Sequence, residues 1–175
     1  HGVGLRLRLH PQADGLVQRR FGLDRWMFTL TATDANRAAL RICRQITGRP
    51  KVLTFSYSYH GSVDETFAVA GPDGTTVSRE GNVGPPVDPS VTTTTVEFND
   101  LEAVEVAFET GEIACVLLEP AMTNMGIVLP DDGYHSALRD LATRHGVRLI
   151  IDETHTFSAG PGGCTREWGL EPDLF

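Results

Sequence analysis

Three short runs in this chain are apolar without alternation: KVLTF at 51–55, IACVLLEP at 113–120 and RLIID at 148–152. A strand with one wet face reads hydrophobic at every second residue. An unbroken apolar run therefore belongs to a strand buried on both faces, as in a parallel sheet covered by helices. Segments of helical periodicity separate the runs, and that alternation is the pattern of βαβ units. The expected architecture is one mostly parallel sheet layered with helices.

Local signals fix most of the elements. A helix is expected over residues 34–47, with Thr33 as its N-cap, Gly48 as its stop, and Ala35, Ala38, Ala39, Ile42 and Ile46 as its apolar stripe. Arg37, Arg41 and Arg44 fall at helical spacing on the same segment and read as a solvated face. Pro50 launches the strand at 51–55, the Gly/Pro-rich stretch 71–89 reads as a surface excursion, and residues 92–98 give a second strand. Asp100 caps a helix that ends near Gly111, and Tyr134 to His145 forms another helix, closed by Gly146. The opening HGVGLRLRLH carries no placeable signal.

Composition excludes several function classes. A formal net charge of -8 argues against general attraction to nucleic acid or an anionic membrane, which draws on clustered Lys and Arg. Cys43, Cys115 and Cys164 are widely spaced and odd in number, so neither a disulfide framework nor a metal cluster is expected. The simplest setting for them is a reducing cytoplasm. The sequence has neither a run of about 18 apolar residues nor a signal-peptide pattern, so no membrane partner is expected.

The segments that carry chemistry all follow strands, on the side where α/β sheets collect ligands. Thr31, Ala32 and Thr33 precede the first long helix, whose free N–H groups suit a phosphate; taken alone they fit a plain helix cap as well. SYSYHGS offers the Tyr59 ring and His60, where Tyr59 either stacks on a planar ligand or packs at the rim. In EPAMTNMGIVLP, Glu119 ends a strand and Asn124 lies in a loop near the expected ligand. Glu119 is either a ligand group or a salt-bridged acid at the sheet edge. RLIIDETHTF places Asp152 at a strand's end, where it can pair with a protonated pyridine nitrogen. Its Asp-Glu-x-His order also resembles the metal-binding acid motif of helicase-like nucleotide hydrolases. Those enzymes need the loop G-x-x-x-x-G-K-[ST], and TGRPKVLTF lacks its second glycine and its Ser or Thr.

Taken in order, TATDAN, YHG, EPAMTNMGIVLP and IIDETHTF resemble the class III branch of pyridoxal-phosphate-dependent aminotransferases, most nearly its glutamate-1-semialdehyde aminomutase-like members. The resemblance implies an α/β, three-layer, fold type I large domain, here partial, over residues 21–175, with 1–20 an N-terminal segment of uncertain structure. It implies pyridoxal phosphate as cofactor, a small-molecule amino donor, an oxo-acid acceptor, and a homodimer. By resemblance, Thr31, Ala32 and Thr33 bind the cofactor phosphate, Tyr59 stacks on the ring, and Asp152 pairs with the ring nitrogen as the catalytic acid of this chain. Thr154 lies against the opposite ring face and His155 donates to the phenolic oxygen, with His60, Glu119 and Asn124 completing the neighbourhood. Two departures stand out. Ala32 occupies the position of a family glycine, and Asn124 stands where ω-amino acid members carry a glutamate, which points towards aminomutase or β-amino acid substrates.

Lys51 is the only lysine. It opens a strand, so it is expected to point away from the ligand cleft as an ordinary surface residue. The resemblance implies that the chain ends before the family's Schiff-base lysine and is inactive by itself. A non-catalytic binding domain that keeps the cofactor scaffold is the alternative.

Overall fold

The computed structural model describes residues 11–175, and their side chains from residue 15 onward. Its helices are α1 (Pro11–Phe21), α2 (Ala32–Thr47), α3 (Leu101–Glu109), α4 (Tyr134–His145) and α5 (Gly163–Glu167). Its strands are β1 (Lys51–Phe55), β2 (Ala68–Ala70), β3 (Thr76–Ser78), β4 (Thr93–Val96), β5 (Ile113–Leu118) and β6 (Arg148–Ile151). β4, β1, β5 and β6 line up in that order, with every neighbouring pair parallel. β2 and β3 form a separate antiparallel pair inside the excursion between β1 and β4.

The period-2 alternation of side chains sends residues from each central strand to two different cores. Leu53, Phe55, Val116, Leu118, Leu149 and Ile151 join α3 and α4 through Val104, Phe108 and Leu138. Val52, Ala114, Cys115, Leu117 and Ile150 join Leu40 and Cys43 of α2 on the opposite face. One sheet between two helical layers is the three-layer α/β arrangement expected.

Helix α2 begins earlier than its sequence suggests. Thr31, not Thr33, is the N-cap: its backbone is extended (φ -142°, ψ 159°) and its Oγ1 accepts from Asp34 N at 3.1 Å. The same hydroxyl donates to Asp34 Oδ2 at 2.9 Å, whereas the Thr33 hydroxyl is turned to the neighbouring loop and accepts from Ser62 N. The buried stripe is shifted as well. Asn36, Leu40 and Cys43 face the sheet while Ile42 and Ile46 are exposed. Asn36 sets that rotation, because its amide is anchored below the sheet end. Arg44 departs from the expected solvated face, pairing with Glu65 at 2.7 Å and donating to Pro50 O at 2.8 Å.

Residues 1–10 of the N-terminal segment lie outside the described residues, and the rest of that segment is helical. Phe21 and Trp26 meet Phe157 and Phe175 in one aromatic cluster, with ring centroids 4.9–6.2 Å apart. The residues around Phe175 are held along the outer edge of β6, where Ile150 bridges Leu174 and Ile151 N donates to Leu174 O. Asp173 is the anchor of this edge. Its Oδ2 accepts from Arg139 Nη1 at 2.8 Å and from Leu149 N at 2.9 Å, and its Oδ1 accepts from Arg148 Nη1 at 3.0 Å. Replacing it (Asp173→Ala) leaves the Leu149 amide and two guanidinium groups without that partner. The expected loss is about 1–2 kcal/mol, limited by the partial exposure of both arginines, and appears as a lower urea midpoint at unchanged slope.

Candidate functional site

The parallel sheet places Asp152 one residue beyond β6, with its N–H on Leu118 O at 2.8 Å. Leu118 pairs with Ile151, so Glu119 and Asp152 leave neighbouring strand ends side by side. Asp152 is 9% exposed, and donors reach both of its oxygens. Oδ2 accepts from Asn36 Nδ2 and from His60 Nδ1, each at 2.9 Å. Oδ1 accepts from Thr154 N at 3.0 Å and from Thr154 Oγ1 at 2.6 Å. Burial pushes this carboxyl up, but the hydrogen bond and charge of His60, with the Thr154 donors, outweigh it and hold Asp152 well below the usual carboxylate range. Its stabilising contribution is therefore complete above the ordinary aspartate value of about 3.9 and is lost as pH falls through the lowered one.

Asn36 and His60 join the other segments to this carboxylate. The Asn36 amide also donates to His60 O at 3.2 Å, which ties helix α2 to the turn after β1. Thr33 Oγ1 accepts from Ser62 N at 3.1 Å, closing the same seam one turn higher. Between them sits Gly61 at φ +78°, where an added Cβ would run into the Thr33 side chain. His60 is 1% exposed, with Nε2 buried and without a partner among the described residues, while the Tyr59 ring next to it is 42% exposed. Ala32 lies one helical turn from Asn36 on the same side of α2, so the phosphate-type turn and the acid share one end of the sheet.

Ala32 opens α2 without backbone strain, because among the described residues positive φ outside glycine is confined to Tyr57, Asp73 and Asn99. The N-cap bond uses Asp34 N, and Ala35 N donates to Thr31 O, which leaves the first-turn amides of Ala32 and Thr33 for an anion. Thr154 lies directly beside the acid, with its hydroxyl turned onto Asp152 Oδ1. Thr154 is the exposed residue among the three that donate to this carboxylate.

Three further residues at this end were not among the expected site residues. Asn36 is one, and Thr123 is another: its Oγ1 donates to Glu119 Oε2 at 2.6 Å and lies 2.6 Å from His155 Nδ1. Glu119 is thus paired inside the site, since β5 lies between β1 and β6 and is not a sheet edge. Glu153 is the third. Its carboxylate is buried and accepts from Cys164 N at 2.8 Å, Thr156 Oγ1 at 2.9 Å and Thr165 N, which folds residues 156–165 beneath the site. Asn124 stands further out, donating to Tyr57 O at 3.1 Å. Lys51 lies at the other end of the strands. It opens β1 opposite Ile113, the first residue of β5, and pairs with Glu112 at 2.8 Å.

His135 supports the Glu119 turn from below. Its Nε2 lies 2.7 Å from Pro120 O, and burial lowers its pKa against the opposing effect of that hydrogen bond. A lowered histidine pKa makes its stabilising contribution complete above the unfolded value of about 6.5 and lost as pH falls through the folded one. Urea denaturation from about pH 7 to pH 5 should therefore show a declining stability, and His135→Gln should show a smaller decline over the same range.

The model of the family described as aminotransferase class-III matches residues 8–175. The chain belongs to this family. It is 40% identical over 150 residues to a glutamate-1-semialdehyde 2,1-aminomutase of Chloroflexus aurantiacus, covering 84% of this chain and 34% of that protein. The crystal structure of a glutamate-1-semialdehyde-aminomutase from Pseudomonas aeruginosa superposes with a TM-score of 0.89 at 51% identity, over 93% of this chain and 36% of that one. A lysine-to-alanine variant of a glutamate-1-semialdehyde-aminomutase from the same organism, in complex with PMP, matches with the same TM-score, identity and coverage. The chain thus spans about a third of the length of these relatives. Family and fold agree with the three-layer, type I architecture.

Proposed function

We propose that this chain forms the pyridoxal-phosphate-holding part of an enzyme that moves an amino group from an amino-acid-like donor to an oxo-acid acceptor. The observation that carries the reading is Asp152, buried at the carboxyl end of β6 and kept ionised by His60, Asn36 and Thr154. A carboxylate so held forms a charge-assisted hydrogen bond to a pyridinium N–H and keeps that proton in place. When bound, pyridoxal phosphate supplies the electron sink for the bonds to the substrate's amino-bearing carbon. Asn36 and His60 orient Asp152, the Ala32 and Thr33 amides take the phosphate, and the half-exposed Tyr59 ring covers a face of the heterocycle. Lys51, at the opposite end of the strands, is not the amine nucleophile of this site. Asn124, bonded to the Tyr57 carbonyl where other members carry a glutamate, favours an aminomutase or β-amino acid type of substrate over an ω-amino acid. A homodimer is part of the same proposal.

Pyridoxamine phosphate (PMP) tests this reading because its binding requires no lysine. At about a hundredfold excess over Kd it should raise the Tm by about 5–10 °C, and inorganic phosphate should raise it much less. A melting curve that PMP leaves unmoved, or moves no more than phosphate does, overturns the proposal.

A further inference from the structure

Beside Asp152 lies a second hydrogen-bonded group whose protons can be placed by elimination. Glu119 is 3% exposed; its Oε2 accepts from Thr123 Oγ1 and lies 3.2 Å from His155 Nδ1, and its Oε1 is buried without a partner among the described residues. With Glu119 taken as a carboxylate, which only accepts, the single hydroxyl proton of Thr123 goes to Glu119. Towards His155, 2.6 Å away, the hydroxyl can then only accept. Nδ1 must carry a proton, and Nε2 is the ring atom left free.

We propose that Glu119 and Thr123 pin a proton on His155 Nδ1, so that Nε2 is what this ring offers to the phenolic oxygen of the cofactor. That makes His155 a positioning residue whose contact is a donor when the imidazole is charged and a lone pair when it is neutral. A neutral amide at this place would donate at every pH; a histidine pinned in this way donates from Nε2 only while the ring carries its second proton. The inference rests on the cofactor reading above.

The other ionisable groups around the ring are accounted for. Asp152 is engaged by His60 from the turn after β1, the Glu153 carboxylate by the Cys164 and Thr165 amides, and His135 by Pro120 O. Glu119 is the carboxylate that touches His155. Its unpaired Oε1 supplies the negative charge that an imidazolium at this place would answer.

Two measurements test the proposal. Histidine ring 15N NMR of the wild-type protein should show His155 with Nδ1 protonated. In Glu119→Gln, whose amide can donate to Thr123 and so reverse that hydroxyl, the neutral ring should show the Nε2–H form. PMP affinity in the wild type should fall about tenfold more between about pH 6 and 9 than in either His155→Gln or Glu119→Gln, where a donor persists throughout. A wild-type ring with Nε2–H as its neutral form overturns the proposal, and so does a His155→Gln pH profile that follows the wild type. If PMP binds at no pH while the Nδ1–H signal is present, the cofactor reading falls and the proton placement stands on the NMR result.

Discussion

Asp152→Ala is expected to weaken PMP binding by about 10- to 150-fold, the equivalent of one charge-assisted hydrogen bond of about 1.5–3 kcal/mol. The same change should lower stability by about 3 kcal/mol, because it leaves His60 Nδ1 and Thr154 N without their acceptor at a buried position. These two effects have different causes and separate in Asp152→Asn. The amide keeps the volume and one acceptor oxygen, so part of the stability returns, while the charge that would hold a pyridinium proton does not. Affinity and urea midpoint measured on both variants read the two effects apart. Equal PMP affinity in wild type, Asp152→Ala and Asp152→Asn would remove Asp152 from the site altogether.

Gly61→Ala should damage the site almost as much without touching a group that carries chemistry. At φ +78° a side chain adds roughly 1–2 kcal/mol of backbone strain. The new methyl would also meet the Thr33 side chain and lie 3.2 Å from Thr33 Cα, a backbone atom that cannot swing aside. The turn has to lift away from α2, which breaks the Ser62–Thr33 bond and shifts His60 off Asp152. A total loss of about 2–4 kcal/mol in stability is expected, with a drop in PMP affinity of at least tenfold. Thr33→Ala in the same background removes the collision with Oγ1 but neither the contact with the backbone nor the strain, and it forgoes the Ser62 bond, so it should restore part of the affinity. No restoration in the double variant would show that the collision is not the cause.

The elements that were legible in the sequence are those fixed by local chemistry. The unbroken apolar runs became β1, β5 and β6, and Asp100 and Gly146 bound α3 and α4 as their capping roles require. Thr31 and Thr33 were harder to separate, because both are hydroxyl residues before a helix; only the acid three residues after Thr31 marks it as the cap. The stripe on α2 was misphased because its deepest residue is polar. Asn36 is buried to serve Asp152, 116 positions away in sequence, and no periodicity in apolar residues reports that. β2 and β3 escaped notice because each has only three residues and their pairing depends on the turn between them. Thr123 escaped for the same kind of reason as Asn36, since His155 comes beside it only once the β5–β6 register is set; the partners of Glu153 are backbone amides of the segment that follows it, which no side-chain pattern marks.

The most direct test of the site is the protonation state of the pyridine nitrogen in PMP labelled with 15N at that atom and bound to this protein near pH 8. Pairing with Asp152 predicts a pyridinium signal in the wild type and a neutral ring nitrogen in Asp152→Asn. A neutral nitrogen in the wild type, or a pyridinium that survives the loss of the Asp152 charge, would contradict it.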